Sequence, residues 1–199
     1  MSRENAFDDS DSFLPKQMTP ELRSLLVKAS LVNENSLENF DYSFTSIFLA
    51  FLVANDPMSR WFQEYVKQAD IRISEIIKWK GLPPTALDRI RELPESITMP
   101  DRRPSVTSSA QAIFNYASSL MKMTAGQKKQ PLDTRHIIGA YIYAPHGHKE
   151  QLKSWGIDPE KWSNAFLNQI VTLYRSELAY WIQAHDRAFR TRPRFQEIL

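Results

Sequence analysis

His136, His146 and His148 come nearest to a metal-binding set, since His146 and His148 stand one residue apart with Glu150 close behind. Two imidazoles and a carboxylate suit a divalent transition metal. The chain has no cysteine and no H-E-x-x-H pair on a helix face, however, and His146-Gly147-His148 reads as an exposed loop. No metal is expected. The serines offer no G-x-S-x-G elbow, and no Ser/His/Asp set is suggested by spacing. Asp133 and Asp158 could pass for catalytic carboxylates, but each precedes a helical pattern, where a carboxylate satisfies free backbone N–H groups. Gly81, Gly126, Gly139, Gly147 and Gly156 lie too far apart to cradle a phosphate, and no G-x-x-x-x-G-K-[ST] is present. Absence of cysteine excludes thiol nucleophiles, disulfides and iron–sulfur clusters, and fits a reducing, cytoplasmic setting. The expectation is a protein without catalysis or cofactor.

The aromatic residues are more informative: five Trp, seven Tyr and eleven Phe must mostly build a core. Trp61 and Tyr65 lie on neighbouring turns beside an apolar stripe, which suits either the core or a protein-docking groove. Lys128-Lys129 and Asp101-Arg102-Arg103 read as solvated basic loops. A net charge of +2 is too small to argue for nucleic acid as a partner. No apolar run approaches the ~18–20 residues a membrane helix needs.

The elements that would position these residues read as helices. Residues 1–17 carry Glu4, Asp8, Asp9 and Asp11 and form a flexible acidic tail that is no secretory signal. Thr19-Pro20-Glu21 is a helix start, followed by Leu22, Leu25, Leu26 and Ala29 on one face. Thr45–Ala54 is apolar on all sides, and its length with its Leu and Ala content favours a buried helix over a strand. Asp56-Pro57 opens the next helix, and Ile73, Ile76 and Ile77 mark another that ends at Gly81 and Pro83-Pro84. A short helical piece at 85–93 leads into a linker at 93–107 with Pro94, Pro100 and Pro104.

The pattern then recurs. Leu22, Leu25, Leu26 and Ala29 match Ala110, Ile113, Phe114 and Ala117, 88 residues on. Thr45, Leu49 and Val53 match Thr134, Ile138 and Ile142, 89 on, and Val66, Ile71 and Ile76 match Leu152, Ile157 and Trp162, 86 on. The spacing predicts an all-α domain over 18–172 made of two four-helix units, 19–81 and 108–170, that share one core.

These residues resemble the Clp repeat, the double four-helix N-terminal domain of Clp-type AAA+ unfoldases. Thr134-Arg135-His136-Ile137-Ile138-Gly139-Ala140-Tyr141 is similar to that family's T-x-H-L-L-L-A-L segment, and Leu152 to Asp158 to its L-x-x-x-G-I-D turn. The first unit departs: Ile47 stands where the family often has His, and Asp70-Ile71-Arg72 replaces Gly-Ile-Asp. The resemblance covers about residues 19–172. It implies a helix-start role for His136 and a non-catalytic recognition module that docks adaptors, substrate segments or another domain. The competing reading is an oligomerisation or sensor module at the front of a larger effector.

Residues 173–199 extend beyond the resemblance. From Pro159 to about Arg190 no Gly or Pro interrupts the helical pattern, which predicts one long C-terminal helix, on the order of 45–50 Å, before a basic tail. Val171, Tyr174, Leu178, Trp181, His185 and Ala188, with Ile182 and Phe189 beside them, form a heptad-like apolar seam. Such a seam requires a cover: the domain itself, a second copy, or a following domain. An intermolecular or inter-domain contact centred on Trp181, with a second copy as in a homodimer or with a following domain, is the expectation, because the repeat core should be complete before the seam begins. The candidate partner-binding residues are thus Trp61, Tyr65, Leu178, Trp181 and Phe189.

Overall fold

Local signals fix most helix starts. Thr19 accepts from the Leu22 N–H and Pro20 follows it, opening α1 (Pro20–Glu34). Residues 17–34, 41–93, 105–126, 129–145 and 148–189 are described here by a computed structural model. Nearly all of the acidic tail, most of the proline-rich linker, Lys128, His146 and the basic C-terminal end lie outside them.

After α1 come β1 (Asp41–Tyr42), α2 (Phe44–Phe51), α3 (Pro57–Gln68), α4 (Ile73–Trp79) and α5 (Ala86–Glu92). Then follow β2 (Ser105–Val106), α6 (Ser108–Ala125), α7 (Thr134–Tyr143), α8 (His148–Ser154), α9 (Pro159–Leu173) and α10 (Leu178–Phe189). The described residues are mostly helical, and the all-α expectation holds at that level. Their strand content is a two-residue parallel ladder, Asp41 with Ser105 and Tyr42 with Val106, and one isolated parallel bridge between Met18 and Leu132.

α2 and α7 are the central helices, with every residue of both buried. A helix apolar on all faces has to be enclosed, and α1 and α6 cover them. Phe48 of α2 packs on Phe62 of α3, on Tyr141 of α7, and on Trp155 and Trp162, so both ends of the chain feed one core. The Tyr141 hydroxyl donates to the carbonyl of Phe44, pinning α7 to α2.

Helix starts recur along the chain. Thr19 and Thr107 cap α1 and α6, 88 residues apart, and Ser43 and Asp133 cap α2 and α7, 90 apart. The separation of α2 and α7 is therefore one residue more than the apolar pattern suggests. Arg72 and Asp158 precede α4 and α9, 86 apart. The turns before those two helices meet: the Arg72 N–H donates to the Trp155 carbonyl at 3.0 Å. Both turns use left-handed backbone, Asp70 at φ 51° and Gly156 at φ 86°. Aspartate tolerates that region better than most side chains, so Asp70 can stand where a glycine is usual.

The long C-terminal helix does not form. α9 ends at Tyr174 (φ −138°, ψ 43°), a 3₁₀ turn spans Arg175–Glu177, and α10 folds back along α9. A straight helix would hold the seam in water, whereas the turn lays Trp181 into the core, 0% exposed.

Candidate functional site

α3 builds the site that the sequence pointed to. The Asp56 carboxylate accepts from the N–H groups of Met58 and Ser59, and Pro57 occupies the first turn. Met58, Phe62 and Val66 then face the core, leaving Trp61 and Tyr65 on the flank, half-buried. Their neighbours come from α9. Tyr65 is sandwiched between Trp61 and Trp162, with ring centroids 5.9 and 6.3 Å away, and Trp61 also leans on Phe166 at 5.9 Å. The result is an aromatic ladder running from the core to the surface along the α3–α9 seam. Gln63 holds it in place, its amide donating to the carbonyls of Phe51 at 2.9 Å and Ala54 at 2.8 Å. Burial, helped by the nearby Asp158 carboxylate, pushes the Tyr65 phenol up to about 12, so it stays neutral and presents a hydroxyl. Trp162 is fully buried, and its indole N–H has no acceptor.

The three C-terminal candidates sit elsewhere. Trp181 lies over Gly139 and packs on Phe166 at 5.0 Å, Tyr143 at 6.3 Å and His136 at 5.9 Å. Its own chain covers it, so the burial of Trp181 comes from back-packing and not from the intermolecular or inter-domain contact expected there. Leu178 and Phe189 are half-buried, and Phe189 meets Tyr143 and His185 while the Lys149 ammonium sits 4.9 Å from its ring centroid.

Among the described residues no group of three or more His, Cys, Asp or Glu could hold a metal ion. His146 lies outside them. Asp158 accepts from the N–H groups of Glu160 and Lys161, and Asp133 accepts from that of Arg135, so both carboxylates are spent on caps.

His136 completes the cap of α7. Its Nδ1 accepts from the Asp133 N–H at 3.1 Å, so the neutral ring carries its proton on Nε2, facing Thr124 Oγ1 at 3.1 Å. In α2 the same contact is made by Ser46, whose hydroxyl lies 2.9 Å from the Ser43 nitrogen. Ser46 thus plays in the cap of α2 the part that His136 plays in the cap of α7. Burial, and secondarily the Arg135 charge, lowers His136 to about 3. The unfolded chain binds this proton below about pH 6.5 and the folded chain only near 3, so stability is complete above that window and is lost as pH falls through it. The loss has a ceiling of roughly 4–5 kcal/mol. Between pH 7 and 4 the urea midpoint of wild type should fall more steeply than that of His136→Gln. Parallel pH profiles would show that His136 takes up its proton as readily in the fold as in the unfolded chain.

Sequence reasoning missed a polar clasp. Arg135 ion-pairs with Asp133 and grips Glu177 with two bonds, Nε at 3.1 Å and Nη2 at 3.0 Å. Its guanidinium lies 4.2 Å from the Tyr174 ring centroid. Burial opposes the charge on Arg135, but Asp133 and Glu177 outweigh it and hold its pKa above the usual value. A second node joins Ser163 Oγ to the Tyr143 hydroxyl at 2.9 Å and to His185 Nδ1 at 2.8 Å. Ser163 is 0% exposed, so this Ser–His contact is a strut and offers no reachable nucleophile. An arginine inside the apolar run of α7 was the available signal.

Comparison with known proteins finds no family model, no curated protein and no solved structure that matches the chain.

Proposed function

We propose that this chain is a non-catalytic protein-recognition module, built from two Clp-like four-helix units, that docks a peptide segment of a substrate, an adaptor or another domain at Trp61 and Tyr65. The aromatic ladder carries the reading: two large rings, backed by Trp162 and Phe166, are only partly buried at a seam between helices. Rigid aromatic anchors of this kind dominate protein–protein binding energies. Three pairings support the two-unit reading. Exchanging positions 88 and 90 residues apart turns the Met18–Leu132 bridge into the Val106–Tyr42 bridge. The caps of α1 and α6, and of α2 and α7, follow the same separations. The left-handed Asp70 and Gly156 stand 86 apart, as do the residues that precede α4 and α9. The module works without metal or cofactor, in a reducing compartment such as the cytoplasm.

A second reading, self-association, is favoured by one observation. Of the six large hydrophobic residues exposed among those described, four, Val171, Leu173, Tyr180 and Ile182, lie on α9 and α10. Light scattering that gives twice the chain mass, lost on Ile182→Glu, would support it over the first.

The docking reading is tested with peptides selected from a displayed library on the full chain. Trp61→Ala should weaken binding about 30-fold or more, a loss of about 2 kcal/mol, with little change in melting temperature. Intact binding with a large fall in melting temperature would assign Trp61 to the core instead.

A further inference from the structure

The contacts of α10 have the anatomy of a helix bound in a groove rather than of a helix that merely continues a bundle. The floor of the groove is Gly139 of α7. A Cβ there would stand 2.5 and 2.9 Å from Cζ3 and Cη2 of Trp181 and 3.2 Å from Leu120, so the missing side chain is what admits the indole. One wall is α9, which sets Phe166 nearly perpendicular to Trp181 and brings Ser163 to His185. At the mouth Arg135, braced by Asp133 and Gln130, receives the Glu177 carboxylate with two parallel bonds. Glu177 also accepts from the Trp181 indole at 3.2 Å, which couples the charge lock to the aromatic anchor. One anchor in a fitted pocket, one bidentate ion pair beside it and one polar contact further along make up a helix-in-groove interface. α10 is joined to α9 through Tyr174 and the single 3₁₀ turn that carries Glu177, so the charge lock sits at the junction and release of α10 would leave α9 wound.

We propose that the α7–α9 groove is a second binding surface, specific for an amphipathic helix carrying Glu-x-x-x-Trp, and that α10 is its resident occupant, which a partner helix of the same chemistry displaces. A ligand tethered through so short a turn competes at an effective concentration on the order of millimolar, so the groove is closed to weak helices and open to tight ones. The surface shares Phe166 with the Trp61–Tyr65 seam on α3 but has its own anchors, Glu177 and Trp181, whose variants test it separately.

The experiment uses the full chain and a fluorescein-labelled peptide of residues 174–189. Wild type, with α10 in place, should bind the peptide at least roughly tenfold more weakly than the Glu177→Gln/Trp181→Ala chain, whose own segment keeps only a neutral contact to Arg135 and has no aromatic anchor. A peptide carrying Trp181→Ala should bind neither. In wild type, amide hydrogens of α10 should exchange faster than those of α7 and α9, reporting release of α10 alone. The proposal is overturned if the folded double variant binds the peptide no better than wild type does. It is equally overturned if α10 exchanges only as slowly as α7 and α9, or if the double variant does not fold, because each result makes α10 a fixed part of the core.

Discussion

Trp162→Ala is expected to lower stability by about 3–5 kcal/mol, a fall in melting temperature on the order of 10 °C for a chain of this size. The indole is fully buried and meets Phe48 at 6.4 Å, Phe62 at 5.3 Å, Tyr65 at 6.3 Å and Tyr141 at 6.5 Å, so α2, α3 and α7 lose a shared partner together. Trp162→Phe should cost far less, about 1 kcal/mol. It keeps most ring contacts and removes an N–H that has no acceptor, and deleting an unpaired buried donor recovers its desolvation cost. Urea denaturation of both variants checks the pair. A phenylalanine variant as weak as the alanine one would mean that the indole N–H is satisfied.

Arg135→Met is expected to be the other large effect, again about 3–5 kcal/mol, because it strands two carboxylates, Asp133 and Glu177, that are largely buried with it. Burial already raises the pKa of Asp133, with Arg135 only partly countering it, so the carboxylate is poorly placed to bear its charge alone. Glu177→Gln should cost less, about 1–2 kcal/mol, since Arg135 keeps Asp133 and the amide can still accept a hydrogen bond. Denaturation midpoints at neutral pH should therefore rank wild type above Glu177→Gln and Glu177→Gln above Arg135→Met. The reverse order of the two variants would show that the pair does not carry the clasp.

Helix identities and most boundaries were legible because caps and apolar stripes are local signals. The register between α2 and α7 was not. Both helices are buried on every face, so their apolar patterns carry no phase and fit a separation of 89 residues as readily as 90. Only the capping side chains, Ser43 and Asp133, distinguish the two. The break at Tyr174 leaves no local mark either, since no Gly or Pro stands near it. Its causes are tertiary: Arg135 draws in Tyr174 and Glu177 from 39 and 42 positions along the chain. The cover for Trp181 had one faint signal, Gly139 inside an apolar helix, where the Clp pattern carries a leucine and where an interior glycine usually has a packing reason. Trp61 and Tyr65 were visible as a flanking i, i+4 pair, but nothing in the spacing revealed Trp162 stacked behind them, because that contact joins residues about a hundred positions apart.

Docking at the α3–α9 seam can be read residue by residue from heteronuclear NMR of the full chain titrated with a library-selected peptide. The five tryptophan indole N–H groups give separate reporters spread through the fold. The account predicts that the Trp61 indole and the amides around Tyr65 shift in proportion to peptide bound, while the Trp181 indole and the amides of α10 stay in place. Shifts confined to α10 and the Gly139 groove, or saturable binding that leaves Trp61 and Tyr65 unmoved, would contradict it.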